Sequence, residues 1–218
     1  MTFSSSYGAT NLYAKWVRTI TLDPNGGNAQ GSVSSIELVS GQELPSKLPS
    51  GWEAPTNRGM CFAGYYEPYR SDIERYSFRG ELLTGVNDLG LQNTPAVFKA
   101  KWQPIYEITL DKRGGSGGLD RFYVGYNTGF FADAQCTKEL IWPIMLPSPP
   151  DGFDRPYIRG FAYLDGVNAS GHATGNGVIN SDGSLSGTVT STTFSKDTRL
   201  YATYTPKNIT VTWSLRGA

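Results

Sequence analysis

A chain of 218 residues with one histidine and two cysteines has few side chains that could do chemistry. The histidine, His172, sits in the run Ser170-Gly171-His172-Ala173. Alone it cannot supply a two-histidine metal site, and no Cys-x-x-Cys accompanies it. A triad would need it beside a placed serine and acid, so it reads as a solvated loop histidine. Asp151-Gly152-Phe153-Asp154 and Asn180-Ser181-Asp182-Gly183 cluster oxygen ligands suited to weak calcium binding. Both lack the acidic spacing and the bidentate glutamate of an EF-hand, and they read as turns. Gly114-Gly115-Ser116-Gly117-Gly118 follows a strand, but no helix opens after it and no Gly-Lys-Ser/Thr is present. It is expected to be a hairpin tip and not a phosphate loop. A hydrolase would need a cleft lined by two acids, or by His172 with a nucleophile. The acids here fall mostly in turns, so no catalytic residue, metal site or cofactor is expected. Cys61 and Cys136 are not at matching positions of the repeats described below, and two free thiols are expected.

The remaining residues able to make specific contacts are aromatic: 13 Tyr, 10 Phe and 5 Trp. Trp16, Trp102 and Tyr204 recur at one repeat position, and Tyr65 and Phe161 at another, as a shared core requires. Tyr66, Tyr69, Tyr123 and Tyr126 recur less and are the candidate partner-binding aromatics. Exposed, they would stack on a sugar or anchor a protein; otherwise they cover the sheet or bury against the next unit.

The elements that hold these residues repeat along the chain. Leu12-Tyr13-Ala14-Lys15-Trp16 precedes Ile20-Thr21-Leu22-Asp23-Pro24-Asn25-Gly26-Gly27. The pair returns as Phe98-Lys99-Ala100-Lys101-Trp102 with Ile108-Thr109-Leu110-Asp111-Lys112-Arg113-Gly114-Gly115. It returns again as Leu200-Tyr201-Ala202-Thr203-Tyr204 with Val211-Thr212-Trp213-Ser214-Leu215. The spacings from Trp16 to Trp102 and from Trp102 to Tyr204, 86 and 102 residues, are long enough for a unit to bury a modest core of its own. Each echo joins the closing strand of one unit to the opening strand of the next. The organisation expected is the end of a preceding repeat over 1–16, repeat 1 over 17–105, a longer repeat 2 over 106–206, and the start of a following repeat over 207–218. Both ends are thus expected to continue into a longer protein.

Within repeat 1, strands are expected at Thr19 to Leu22, Val33 to Val39, Cys61 to Tyr66 and Ala96 to Trp102, with Tyr76-Ser77-Phe78 as a short one. A turn or short helix is expected around 43 to 56, where no amphipathic stretch is long enough for a full helix. Repeat 2 follows with Ile108 to Leu110, Arg121 to Tyr126, Gly129 to Phe131, Ile158 to Ala162 and Leu200 to Tyr204. Leu146-Pro147 is matched to the Leu48-Pro49 region, and a hairpin over 166–187 turns at Ser181-Asp182-Gly183-Ser184. The fold class is mostly β, α+β at most. The few residues between closing and opening strands restrict tilting, which predicts an elongated rod.

Nineteen basic residues balance nineteen acidic ones, and no basic run tracks phosphates, so no nucleic-acid partner is expected. No apolar stretch is long enough for membrane insertion, and the first residues lack the charged and apolar regions of a signal peptide. Asn168-Ala169-Ser170 and Asn208-Ile209-Thr210 match a glycosylation pattern and read as chance.

The opening Ile20–Gly27 motif, Leu48-Pro49, Phe62-Ala63-Gly64-Tyr65-Tyr66 and the closing Phe98–Trp102 together resemble the Listeria–Bacteroides repeat, or internalin B-repeat, family. Repeat 2 resembles a longer variant with an insertion from Tyr126 through Phe130 and Phe131 to Cys136 and Thr137. Gly160-Phe161-Ala162 departs from the pattern by lacking the second aromatic, and Thr203-Tyr204 stands where Lys-Trp is usual. The resemblance implies tandem small β-grasp (ubiquitin-like) domains in a secreted or wall-attached bacterial surface protein. There such repeats serve as non-enzymatic spacers and adhesion modules. The partners implied are a host or cell-surface protein or glycan and neighbouring repeats of the same chain.

Overall fold

The computed structural model describes residues 16–29, 31, 33–39, 42–69, 72–84, 96–151, 153–163 and 177–206. Among these there are nine strands and no helix, so no helix is long and apolar enough to cross a membrane. The fold is mostly β, with the strands paired in both directions. The chain divides into two compact units: Met1–Pro55 with Gly64–Lys101, and Thr56–Ala63 with Trp102–Ala218.

In the first unit, β1 (Val17–Asp23) and β2 (Ser35–Val39) form an antiparallel hairpin from Val17↔Val39 to Thr21↔Ser35. Their β-branched residues suit a pleated surface. Alternation buries Ile20, Leu22, Ile36 and Leu38 and leaves Thr19, Thr21 and Glu37 outside. β1 also runs parallel to the start of β5 (Ala96–Asp111), with Leu22 beside Phe98. β3 (Met60–Glu67), whose residues from Gly64 onward belong to this unit, lies on the other side of β5 and carries β4 (Ile73–Ser77) antiparallel, giving the order β2-β1-β5-β3-β4. The buried Tyr76 hydroxyl donates to the Pro45 carbonyl at 2.9 Å, as a buried phenol requires.

The second unit repeats four of these five places. The later part of β5 pairs antiparallel with β6 (Arg121–Gly125), which carries β7 (Gly129–Phe131). It pairs parallel with β9 (Thr198–Pro206), with Leu110 beside Leu200, and β9 carries β8 (Phe153–Ala162) antiparallel, giving β6-β5-β9-β8. Phe161 then bridges Ile179, and Ile179 bridges Leu185, as Tyr76 bridges Leu82 in the first unit. Phe122, Phe161, Phe194, Ile108 and Leu200 form the core, with Trp142 edge-on to Phe122 (5.8 Å) and Phe130 (5.7 Å). Each such side chain contributes roughly 2–3 kcal/mol by leaving water.

The likeness extends to single atoms. Asn25 and Gly26 have φ of 48° and 86°, and Arg113 and Gly114 have the same values. The Asn25 N–H donates to Asp23 Oδ1 at 2.7 Å, and the Arg113 N–H to Asp111 Oδ1 at 2.9 Å. Gly64 (φ 132°) and Gly160 (φ 96°) each press against a carbonyl, of Tyr76 and of Ile179, where any side chain would collide.

Four expectations are corrected. The closing strand at Ala96 to Trp102 and the opening strand at Ile108 to Leu110 are one 16-residue strand, β5. Pro104 is tolerated there because it is exposed and lies where pairing passes from β1 (through Lys99) to β6 (from Ile105). The region matching Leu48 is Ile144 and not Leu146: Leu48 N–H donates to Gly80 O, and Ile144 N–H to Gly183 O, both at 2.9 Å. Trp16 is not core; it is 72% exposed, because it precedes β1 and packs under no described strand. Trp102, expected in the same core position, is half-buried, edge-on to Phe62 at 5.8 Å. Tyr65, Phe161 and Tyr204 are buried.

Candidate functional site

The residues that sheet alternation turns away from the core of the second unit form a mixed charged and aromatic face. On β5, Ile108 and Leu110 point inward, which turns Glu107, Thr109 and Asp111 outward. The register sets Tyr123 of β6 opposite Glu107, Arg121 opposite Thr109, Arg199 of β9 beside Thr109, and Tyr201 beside Asp111. Arg121 Nη1 reaches both Glu107 oxygens (3.2 and 3.3 Å), and Arg199 Nη1 lies 3.7 Å from Asp111 Oδ2. The Glu107 charge, followed by the hydrogen bond to Tyr123, raises the Arg121 pKa. The carboxylates are therefore paired with guanidinium groups, Glu107 with Arg121 and Asp111 with Arg199. Tyrosines beside arginines offer stacking surface and fixed donors.

Of the four expected aromatics, the structure places Tyr66 and Tyr69 in the first unit and Tyr123 and Tyr126 in the second. Tyr69 is 77% exposed after β3; the other three are half-buried. Tyr66 pairs across β4 with Glu74, which is ion-paired with Lys101. Tyr126 follows β6, its N–H donating to Pro104 O at 3.0 Å. Sequence reasoning missed Arg121, Arg199 and Tyr201; the signal available was their place one residue from buried strand positions.

The other chemical candidates resolve into structure where they are described. Asp182 Oδ1 accepts from Ser184 N–H (2.8 Å) and Ser184 Oγ–H (2.6 Å), which lowers its pKa and commits it to a turn. In the glycine run, Gly115 faces the Tyr204 hydroxyl and Ser148 O and Gly118 faces the Met145–Pro147 backbone, while Gly117 faces open space. His172, Asn168, Asn208 and the Asp154 side chain lie outside the described residues. Among the described residues no group of three His, Cys, Asp or Glu is placed to hold a metal.

Cys61 and Cys136 are both buried free thiols. Cys61 lies in the Thr56–Ala63 segment of the second unit, and its thiol donates to the Phe62 carbonyl at 3.9 Å. The Cys136 thiol beside it, followed by burial, pushes the Cys61 thiol far above the usual range. No spacing rule pairs two cysteines so far apart in sequence.

Comparison with protein-family models, with curated proteins and with solved structures returns no match.

Proposed function

We propose that this chain is a non-enzymatic segment of a bacterial cell-surface or secreted protein, made of tandem β-grasp repeats that act as a spacer or stalk with a part in adhesion. The observation that carries the reading is the order β2-β1-β5-β3, with β1 and β5 parallel, met again as β6-β5-β9-β8, with β5 and β9 parallel. That order, together with the junction motifs, supports the Listeria–Bacteroides repeat assignment, with domains over 17–105 and 106–206. What is duplicated is core and turn chemistry, which serves reach and not catalysis. The setting that goes with such repeats is the cell wall or the extracellular space, with neighbouring repeats and a host or cell-surface protein or glycan as partners. Small-angle scattering tests the spacer role: an elongated two-domain particle is expected, and a single compact globule contradicts it.

The outer face of the second unit favours one further reading, a protein- or glycan-binding module. Tyr123 and Tyr201 stand among Arg121, Arg199, Glu107 and Asp111 on one sheet face. On a glycan and host-protein array, binding that Tyr123→Ala abolishes supports this reading. Binding at background contradicts it.

A further inference from the structure

We infer that Cys61 and Cys136 are a disulfide site, joined as the chain folds in the presence of a small-molecule disulfide. Cys61–SH and Cys136–SH give up two protons and two electrons and form one S–S bond. The oxidant's S–S bond breaks and its two sulfurs leave as thiols, so the exchange balances through one mixed disulfide.

Three observations carry this. The chain has only two cysteines, and both are buried at one place: the Cys61 Sγ and the Phe131 ring both face Gly125, and the loop that carries Cys136 leaves β7 directly after Phe131. A buried residue touches about ten others, so chance contact between two given residues of a chain this long is roughly one in twenty. Next, Cys136 holds φ 55°, a left-handed conformation that glycine or asparagine adopts at less cost. The loop is clamped there: Asp133 Oδ1 accepts from the N–H groups of Thr137 (3.0 Å) and Lys138 (2.9 Å), and Cys136 N–H donates to Asp133 O (3.2 Å). Finally, Gly125 has no side chain beneath Cys61, and a Cβ at that position would collide with the Cys61 Sγ. The fold thus clears space for one sulfur and strains the backbone to present the other. The bond would tie the Thr56–Ala63 segment to the loop after β7 and close a long stretch of chain.

Both thiols are buried and the Cys61 thiolate is suppressed, so the folded reduced protein exchanges slowly. The test therefore starts from the unfolded chain. The full protein is denatured, reduced, then refolded in a buffer of reduced and oxidised glutathione. Expected is a monomer about 2 Da lighter than the reduced chain, without glutathione, silent to a thiol reagent after denaturation, and yielding one cross-linked peptide containing Cys61 and Cys136. Its melting temperature should exceed that of the reduced protein by roughly 10 °C. Refolded Cys61→Ser and Cys136→Ser should each take up one glutathione. Wild-type protein that keeps two reactive thiols, carries glutathione, or links between molecules overturns the inference, whether or not the variants fold.

Discussion

The two units share one strand order and one opening turn but differ in what they bury at the same place. In the first, Arg75 is 2% exposed and Glu67 8%, and the Arg75 Nε and Nη2 donate to Glu67 Oε2 at 3.0 and 2.7 Å. In the second, the position of Arg75 falls to Val178, since Leu83 N–H donates to Arg75 O and Ser186 N–H to Val178 O. Tyr163 follows Gly160 as Glu67 follows Gly64. One scaffold thus buries an ion pair in one unit and, at the matching positions of the other, holds a buried Val178 and a half-buried Tyr163. The backbone conditions, by contrast, do not vary: a left-handed residue pair after the first strand, and a glycine against a carbonyl in β3 and again in β8. The difference teaches that the backbone geometry defines the unit, while its side chains are free to diverge.

The comparison breaks first at the glycines. Gly64→Ala and Gly160→Ala should each cost about 4 kcal/mol in urea unfolding, since both combine a positive φ with a backbone collision. A cost at only one site would mean that the units are not equivalent. Next comes the buried pair. Glu67→Ala leaves a buried guanidinium without its carboxylate and should cost about 3 kcal/mol. The exchange Arg75→Val with Glu67→Tyr, which writes the second unit's residues into the first, should restore stability to within about 1 kcal/mol of wild type.

Alkaline pH tests the units together. Burial pushes the Tyr76 and Tyr204 hydroxyls up to about 12, from 10.0. Folded-state pKa values raised in this way give stability that is complete below pH 10 and lost as pH rises through about 12. The loss should be on the order of 2 kcal/mol per tyrosine in unfolding curves, and Tyr76→Phe or Tyr204→Phe should each flatten it. The smallest effect is in the opening turn. Asn25 Nδ2 donates to Ala100 O at 3.0 Å, and Ala202 is the matching residue of β9. Arg113→Asn should therefore stabilise the second unit by about 0.5 kcal/mol, read as a higher denaturation midpoint.

What was legible in the sequence was local. Ile20-Thr21-Leu22 alternates and Asp23-Pro24-Asn25-Gly26 names its own turn, so strand and turn appear where the residues place them. Tyr65 and Phe161 were readable as core because they sit at matching offsets. Illegible was whatever depends on partners far along the chain. Pro104 reads as a break, yet pairing to two different strands carries β5 past it. The prolines near 147 and 49 look equivalent, but the hydrogen bonds to Gly183 and Gly80 set a register two residues away. Tyr66, Tyr69, Tyr123 and Tyr126 look alike as exposed aromatics, but they fall in two units. Cys61 and Cys136 meet only through tertiary structure.

The central claim is that one strand order is used twice, with β1 and β5 parallel in the first unit and β5 and β9 parallel in the second. Nuclear Overhauser effects between backbone protons on paired strands test it most directly. The account predicts parallel-type contacts around Thr21 and Val97 and, in the same pattern, around Thr109 and Arg199. Antiparallel contacts at either pair, or parallel contacts in one unit only, would contradict it.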